Sequence, residues 1–342
     1  MKHGSMGGFI LRRVIGAVPI LLGVIVVTFL LTRALPGDPA AYFAGTSSSA
    51  EAIEQVRHRL GLDRSLPQQF VLYVEALAVG DLGQSIATGR PVAAELVSRL
   101  PASLELTFVA LILAIVTAVP LGVLAATRPG SWVDHLCRVT TTAGVSLPTF
   151  VTGLLLVYVF YYILGWAPAP LGRLDSFLSA PPTVTGFYLI DTLLAGDGEA
   201  FWATLTQLAL PAITLALFTM APLARMTRAS MLGVLSSDFI RTARASGLSR
   251  PTVLLRYGFR NALLPVVTTL GMVFSFMLGA NVLVEKVFAW PGIGSFALEA
   301  LISLDYAPVQ GFVLMMAVLY VMLNLLIDVA YSLIDPRVRM AS

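Results

Sequence analysis

Long apolar runs separated by short polar stretches dominate this chain. Six of them approach the roughly 20 mainly apolar residues that a helix needs to cross a hydrocarbon core ~30 Å thick. They lie at residues 14–31, 106–126, 143–164, 208–224, 263–284 and 312–334. The runs are too long and too continuously apolar for the shorter, alternating strands of a membrane barrel. The pattern therefore predicts an all-α integral membrane protein with six transmembrane helices. Pro19, Pro120, Pro148, Pro211 and Pro222 fall inside or at the edges of these runs, where kinks are expected and neighbouring helices satisfy the backbone groups that proline frees. The first run exceeds the roughly 7–15 residues of a signal-peptide core and reads as a retained anchor.

Residues 32–103, between the first and second runs, are too long for a hairpin and predict a small extracytoplasmic cap. In it, Leu60-Gly-Leu-Asp-Arg-Ser-Leu-Pro67 turns into an amphipathic stretch at 68–79. Gly80-Asp-Leu-Gly-Gln-Ser85 and Thr88-Gly-Arg-Pro91 then break the pattern before a short helix at 92–100. The organisation reads as a tail and first helix (1–31), the cap (32–103) and a five-helix core (104–342) holding a basic loop at 231–262. A second external loop at 165–203 carries Asp175, Asp191, Asp197 and Glu199. It reads either as a solvated loop or as an acidic rim for a soluble partner, whose contact would be salt-sensitive.

Apolar residues make up 57% of the chain and charged ones 12%, about half the ~25% charged share of a soluble domain, so most of the protein belongs in lipid. With the N-terminus placed inside, the inner segments hold fourteen of the 22 basic residues but only four of the 19 acidic ones. The positive-inside rule then puts both termini in the cytoplasm. The net charge of +3 is explained by this asymmetry without a nucleic-acid partner. Cys137 is the one cysteine and His3, His58 and His135 are scattered, which leaves no metal-ligand spacing.

Energy-transducing chemistry has no obvious home in the chain. The two lysines, Lys2 and Lys286, do not follow glycine, so there is no phosphate-cradling P-loop, and Gly144-Val-Ser-Leu-Pro148 fails as a nucleophile elbow. The expectation is a chain with no catalytic residues and no metal. The spans are almost free of ionisable groups; Asp328, four residues after Asn324, is the exception and reads as a structural partner. That pattern disfavours an ion-coupled secondary transporter and a membrane enzyme. A non-transport membrane scaffold stays open.

Energy is then expected to enter through the basic inner loop. Asp238-Phe-Ile-Arg-Thr-Ala-Arg-Ala-Ser-Gly247 predicts a short helix stopped by Gly247. Its small residues Thr242, Ala243, Ala245 and Ser246 suit close approach to a groove, and Arg241 and Arg244 suit acids at its rim. The alternative is a loop that only fixes orientation.

This segment resembles the cytoplasmic coupling (EAA) loop of binding-protein-dependent ABC transporter permeases, in particular the first permease of the dipeptide and oligopeptide branch. Ala243 and Gly247 match the Glu-Ala-Ala-x-x-x-Gly pattern, whereas Arg241 stands in place of Glu and Thr242 in place of the first Ala; Arg260 occupies the place of a later Pro. Residues 9–13, Leu35-Pro-Gly-Asp-Pro39, Leu60-Gly-Leu-Asp63, Gly80-Asp-Leu-Gly83, Thr88-Gly-Arg-Pro91, Arg99-Leu-Pro101, Val287-Phe288 with Pro291-Gly-Ile-Gly294, and Asp335-Pro-Arg337 resemble the same branch, in order along the chain. The resemblance implies a type I ABC importer permease of the bacterial cytoplasmic (inner) membrane, carrying peptides or related small solutes and forming half of the pathway. The implied partners are a second homologous permease, two cytoplasmic ATPases that hold ATP and Mg, and an extracytoplasmic solute-binding protein. It also implies that Asp238, Arg241, Thr242, Ala243, Arg244, Ala245 and Gly247 meet an ATPase. Candidates for the path are Ser146, Thr149 and Thr152 on the third span and Phe274, Ser275, Phe276 and Asn281 on the fifth, with helix packing as their alternative role. Glu285, Pro291, Gly292 and Gly294 are candidates for an outer gate, and Trp290 for an interfacial anchor.

Overall fold

The apolar runs fold as helices in the computed structural model, which describes residues 6–34, 40, 49–59, 61–175 and 177–334. Leu35-Pro-Gly-Asp-Pro39, Asp335-Pro-Arg337, Leu60 and both chain ends lie outside the described residues. The helices are α1 (Met6–Ala34), α2 (Ala50–Arg59), α3 (Leu66–Ala78), α4 (Val92–Thr127), α5 (Trp132–Ser146), α6 (Thr149–Ile163), α7 (Tyr188–Ala195), α8 (Gly198–Leu235), α9 (Asp238–Ala245), α10 (Arg250–Val287), α11 (Ile293–Ile302) and α12 (Tyr306–Ile334). There is no named strand among the described residues. Five helices, α1, α4, α8, α10 and α12, are long and apolar enough to cross a membrane, and the bent pair α5 and α6 supplies a sixth crossing if it counts as one span.

Two expectations about these elements change. The third run is not one helix: it breaks at Leu147, which is extended (φ −114°, ψ 142°) ahead of Pro148, because a residue before proline is driven out of the α region. The short helix expected at 92–100 is instead the start of α4, which continues through Pro101 and Pro120.

The chain divides into two compact units. One comprises Ile10–Leu100 and Phe296–Val321. Within it, Phe29 of α1 meets Phe70 of α3 edge-on (5.1 Å between centroids), and Arg33 lies over the Phe29 ring while donating to Gln69 Oε1 at 3.0 Å. Asp305 accepts hydrogen bonds from the Ser85 hydroxyl (2.7 Å) and the Ala87 N–H (3.1 Å), which ties down the Gly80–Pro91 turns. Buried Glu95 is bracketed by Arg90 and Arg99.

The second unit comprises Met1–Phe9, Pro101–Ser295 and Met322–Ser342. Helix α8 is its centre: 67% of its apolar window is buried, against 44% for α10. Glycines bring neighbours against it. A Cβ on Gly122 of α4 would fall 2.7 Å from Thr227 Cβ, and one on Gly144 of α5 would fall 2.7 Å from the Leu217 carbonyl oxygen, the close approach typical of membrane helix packing. Arg228 of α8 pairs with buried Asp134 of α5 (2.5 Å), which also accepts from Arg138 (3.1 Å) and the Gly130 N–H (3.0 Å).

The segment after α6 is held by buried charge. Asp191 is 1% exposed and accepts from the Thr185 hydroxyl (2.7 Å) and from the N–H groups of Thr185 (2.8 Å), Gly186 (2.9 Å) and Val184 (3.3 Å). Asp197 caps α8 by accepting from the Ala200 N–H at 2.9 Å. Asp175 accepts from the Phe177 N–H at 3.2 Å, so three of the four acids read as a rim make local hydrogen bonds. Burial alone would raise the Asp191 carboxyl, but its hydrogen bonds from Thr185, Gly186 and Val184 outweigh burial and hold it below the ordinary carboxylate range. Its contribution to stability is thus complete above about pH 4, the unfolded value, and is lost as pH falls through the lower folded value. Thermal unfolding followed from about pH 6 downward should show this acid-labile component in the wild type and a flatter acid limb in Asp191→Asn.

Candidate functional site

Helix α9 opens after Ser237, whose extended backbone (φ −75°, ψ 155°) sets the N-cap. Asp238 in the first turn and Arg244 in the last complement the helix dipole. Gly247 ends the segment at φ +76°, in the left-handed region that favours glycine. Ile240 and Ala243, three apart, are buried against Val253, Val234 and Leu235. Asp238, Phe239, Arg241, Thr242, Arg244 and Ala245 are exposed. Arg241 pairs with Asp238, whereas Arg244 has no ion pair among the described residues. The expected helix is therefore present, with one change in its faces: Ala243 does not line an outer surface but anchors the helix inward with Ile240. A π-helical turn, Val253–Phe259, directly follows and supplies the Val253 contact.

At the other end of α10 Asn281, Gly292 and Gly294 converge on the carboxylate of Glu285. Glu285 is 1% exposed. Its Oε1 accepts from the Ser103 hydroxyl (2.5 Å) and Asn281 Nδ2 (2.9 Å), and its Oε2 accepts from the Ser295 N–H (2.8 Å). Ser103 Oγ in turn accepts from the Ile293 N–H at 2.9 Å. Asn281 also reaches Thr107 Oγ1 and the Ser103 carbonyl, each at 3.3 Å. Gly292 and Gly294 close over the carboxylate: a Cβ on Gly292 would overlap it, and one on Gly294 would sit 2.9 Å from Oε2 and 2.7 Å from Val282 Cα. Pro291 is exposed at the turn. Trp290, read as an interfacial anchor, is 1% exposed and donates from Nε1 to the Ala102 carbonyl at 2.8 Å.

Asn281 is thus part of this buried polar knot. Phe274 is also buried and meets Phe108 (5.8 Å between centroids). Ser275 and Ser146 spend their hydroxyls on the carbonyls of Gly271 and Thr142 in their own helices. Thr149 is half-buried and Thr152 turns back to the Pro148 carbonyl. Of the path candidates, Phe276 stands out as 62% exposed and lining a cavity. Sequence reasoning missed Ser103, Thr107 and Ser295. The one local signal was Asn281 and Glu285, four apart on one helix face; it does not point to Ser103, 182 residues from Glu285. It also missed a second buried pair, Arg173 with Glu105 (2.5 Å); Glu105, Glu285 and Asp134 show that the helices carry more buried ionisable groups than the apolar runs alone contain.

Residues 118–340 match the family described as "Binding-protein-dependent transport system inner membrane component", and residues 6–107 match its N-terminal companion. The chain belongs to this family. Members of similar sequence include the "Probable D,D-dipeptide transport system permease protein DdpB" of Escherichia coli (strain K12), 46% identical over 96% of each chain. Another is the "Dipeptide transport system permease protein DppB" of Alkalihalophilus pseudofirmus (strain ATCC BAA-2126 / JCM 17055 / OF4), 39% identical over 98% of this chain and 100% of that one. The fold is similar to a chain of the MetNI methionine ABC transporter, in a structure titled for its inward-facing conformations. The TM-score is 0.52 and the identity 16%, covering 70% of this chain and 96% of the other. A multi-pass helical component of the inner membrane follows from the family and the apolar helices together.

Proposed function

We propose that this chain is the first of two permease subunits of an ATP-driven importer of peptides or related small solutes, and that α9 is where ATPase work enters it. The supporting observation is the division of α9 into an inward stripe, Ile240 and Ala243, and an outward face bearing Arg241 and Arg244. A short helix fastened to its own chain on one side and charged on the other suits a groove with acids at its rim. Two cytoplasmic ATPases holding ATP and Mg, a second homologous permease and an extracytoplasmic solute-binding protein complete the assembly. This chain itself binds no cofactor and catalyses nothing, and both its termini are cytoplasmic. The peptide reading rests on the names of the relatives at 46% and 39% identity. Closure of the ATPases around nucleotide would shift the bundle between its access states by their differential affinity for one of them.

The test is the double variant Arg241→Glu/Arg244→Glu in the intact complex. Binding-protein-dependent uptake into proteoliposomes should fall on the order of tenfold or more, because each substitution sets like charges against the groove. Membrane insertion should stay intact, since both side chains are exposed. Wild-type uptake by the double variant, or vectorial transport by the isolated chain in vesicles, would refute the assignment.

A further inference from the structure

Between α8 and α10 lies a cavity of about 180 Å³, lined by Phe218, Thr219, Pro222 and Arg225 from α8 and by Met272, Val273 and Phe276 from α10. The α8 residues follow i, i+1, i+4 and i+7, one face of the helix. Most of the lining is apolar, and two features, a guanidinium and a freed carbonyl, set it apart from an ordinary packing gap. Arg225 brings a guanidinium to it and makes no hydrogen bond or ion pair among the described residues. Arg228 and Arg173 of the same unit, by contrast, are paired with the buried carboxylates Asp134 and Glu105. Pro222 has no N–H to give the Phe218 carbonyl, so α8 presents a main-chain acceptor on that same face. Met272 and Phe276, 52% and 62% exposed as Leu255 and Leu283 of the same helix also are, form the open side of the cavity, where Arg225 too is exposed.

A cationic fork that matches carboxylate geometry, a carbonyl that Pro222 leaves without its i+4 N–H and an adaptable Met and Phe wall together describe a seat for one end of a zwitterionic chain. The volume is below the ~300–1,000 Å³ of pockets that enclose a whole drug-sized ligand, so it fits a terminal residue and not an entire oligopeptide. Arg225 stands ten residues, about 15 Å, before the end of α8. It is thus set well back from the α9 segment and not within it.

We propose that this cavity is a transient seat for the C-terminal residue of the translocated peptide, with Arg225 pairing its free carboxylate. The inference rests on the peptide-importer reading and adds to it a permease contribution to selectivity, separate from that of the binding protein.

The experiment compares uptake of dialanine, in its L,L and D,D forms, with uptake of the matching C-terminal amides. It uses proteoliposomes of the complete complex at saturating binding protein, whose own affinities for acid and amide are measured separately. The wild type should move the acid faster than the amide on the order of tenfold, the scale of one charge-assisted contact. Arg225→Gln should bring that ratio close to one, and Arg225→Lys should keep most of it. An unchanged ratio in Arg225→Gln, or a wild-type ratio near one, overturns the inference while leaving the importer reading in place. So does a response of Arg225→Gln to anionic lipid content alone, which would make the guanidinium a headgroup contact. A wild-type complex that moves neither form of dialanine nor any tri- or oligopeptide of a test series refutes the peptide reading, and this inference with it.

Discussion

Gly292→Ala should destabilise the protein by about 3 kcal/mol or more, a large effect for a single added methyl group. The backbone at Gly292 is outside the left-handed region, so conformational freedom is not the reason; the space is. A Cβ there overlaps the Glu285 carboxylate, which is held by Ser103, Asn281 and the Ser295 N–H. Making room means moving the turn or expelling the carboxylate from its donors, and either leaves buried polar groups unsatisfied. Thermal unfolding of the purified complex measures this against the wild type. A wild-type midpoint in Gly292→Ala would mean that the turn shifts freely away from Glu285. The result also bears on the gate proposal, because bulky replacements at Gly292 and Gly294 would impair transport through folding alone. A gate role is better probed by cross-linking the exposed Pro291 position to a partner subunit.

Arg173→Met should cost about 3–5 kcal/mol, because it strands a buried carboxylate. Glu105 is 2% exposed; its Oε2 faces Arg173 at 2.5 Å and its Oε1 accepts from the Leu189 N–H at 2.8 Å. Arg173 also donates to the Gly186 carbonyl at 2.8 Å and stacks over the Tyr188 ring at 3.5 Å. Glu105→Gln keeps the acceptor for Leu189 but leaves the guanidinium without its counter-charge, so it should also destabilise. The double variant Arg173→Met/Glu105→Gln should recover part of the loss, since no unpaired charge remains. Unfolding midpoints across that cycle check it, and strictly additive effects would mean that the pair is not coupled.

The spans were legible because continuous apolarity is a local signal. Their lengths were less so, since α8 and α10 extend through polar ends such as Gly198–Gln207 and Arg250–Arg260 that a hydropathy reading leaves to loops. The break at Pro148 was written in the dipeptide Leu147-Pro148, yet the apolar run on both sides concealed it. For α9 the stop at Gly247 and the helix itself could be read directly. Which way Ala243 points could not, because its neighbour Val253 belongs to the next helix. The same limit hid the Glu285 knot. Gly292 and Gly294 are near Glu285 in sequence, but Ser103 arrives from 182 residues away, and Arg173 meets Glu105 across 68. Buried polar partnerships of this kind are set by tertiary packing, and no periodicity announces them.

Helix α10 runs without a chain break from Val253, on which α9 rests, to Glu285. That is 32 residues, or about 48 Å of helical rise. A rod of such length needs little motion at its foot: a tilt of about 5° displaces its far tip by about 4 Å. Under the proposal that ATPase work enters at α9, mechanical advantage would lie in the length of one helix, and the Val253–Phe259 turn, with its looser π-type bonding, is where it would flex first.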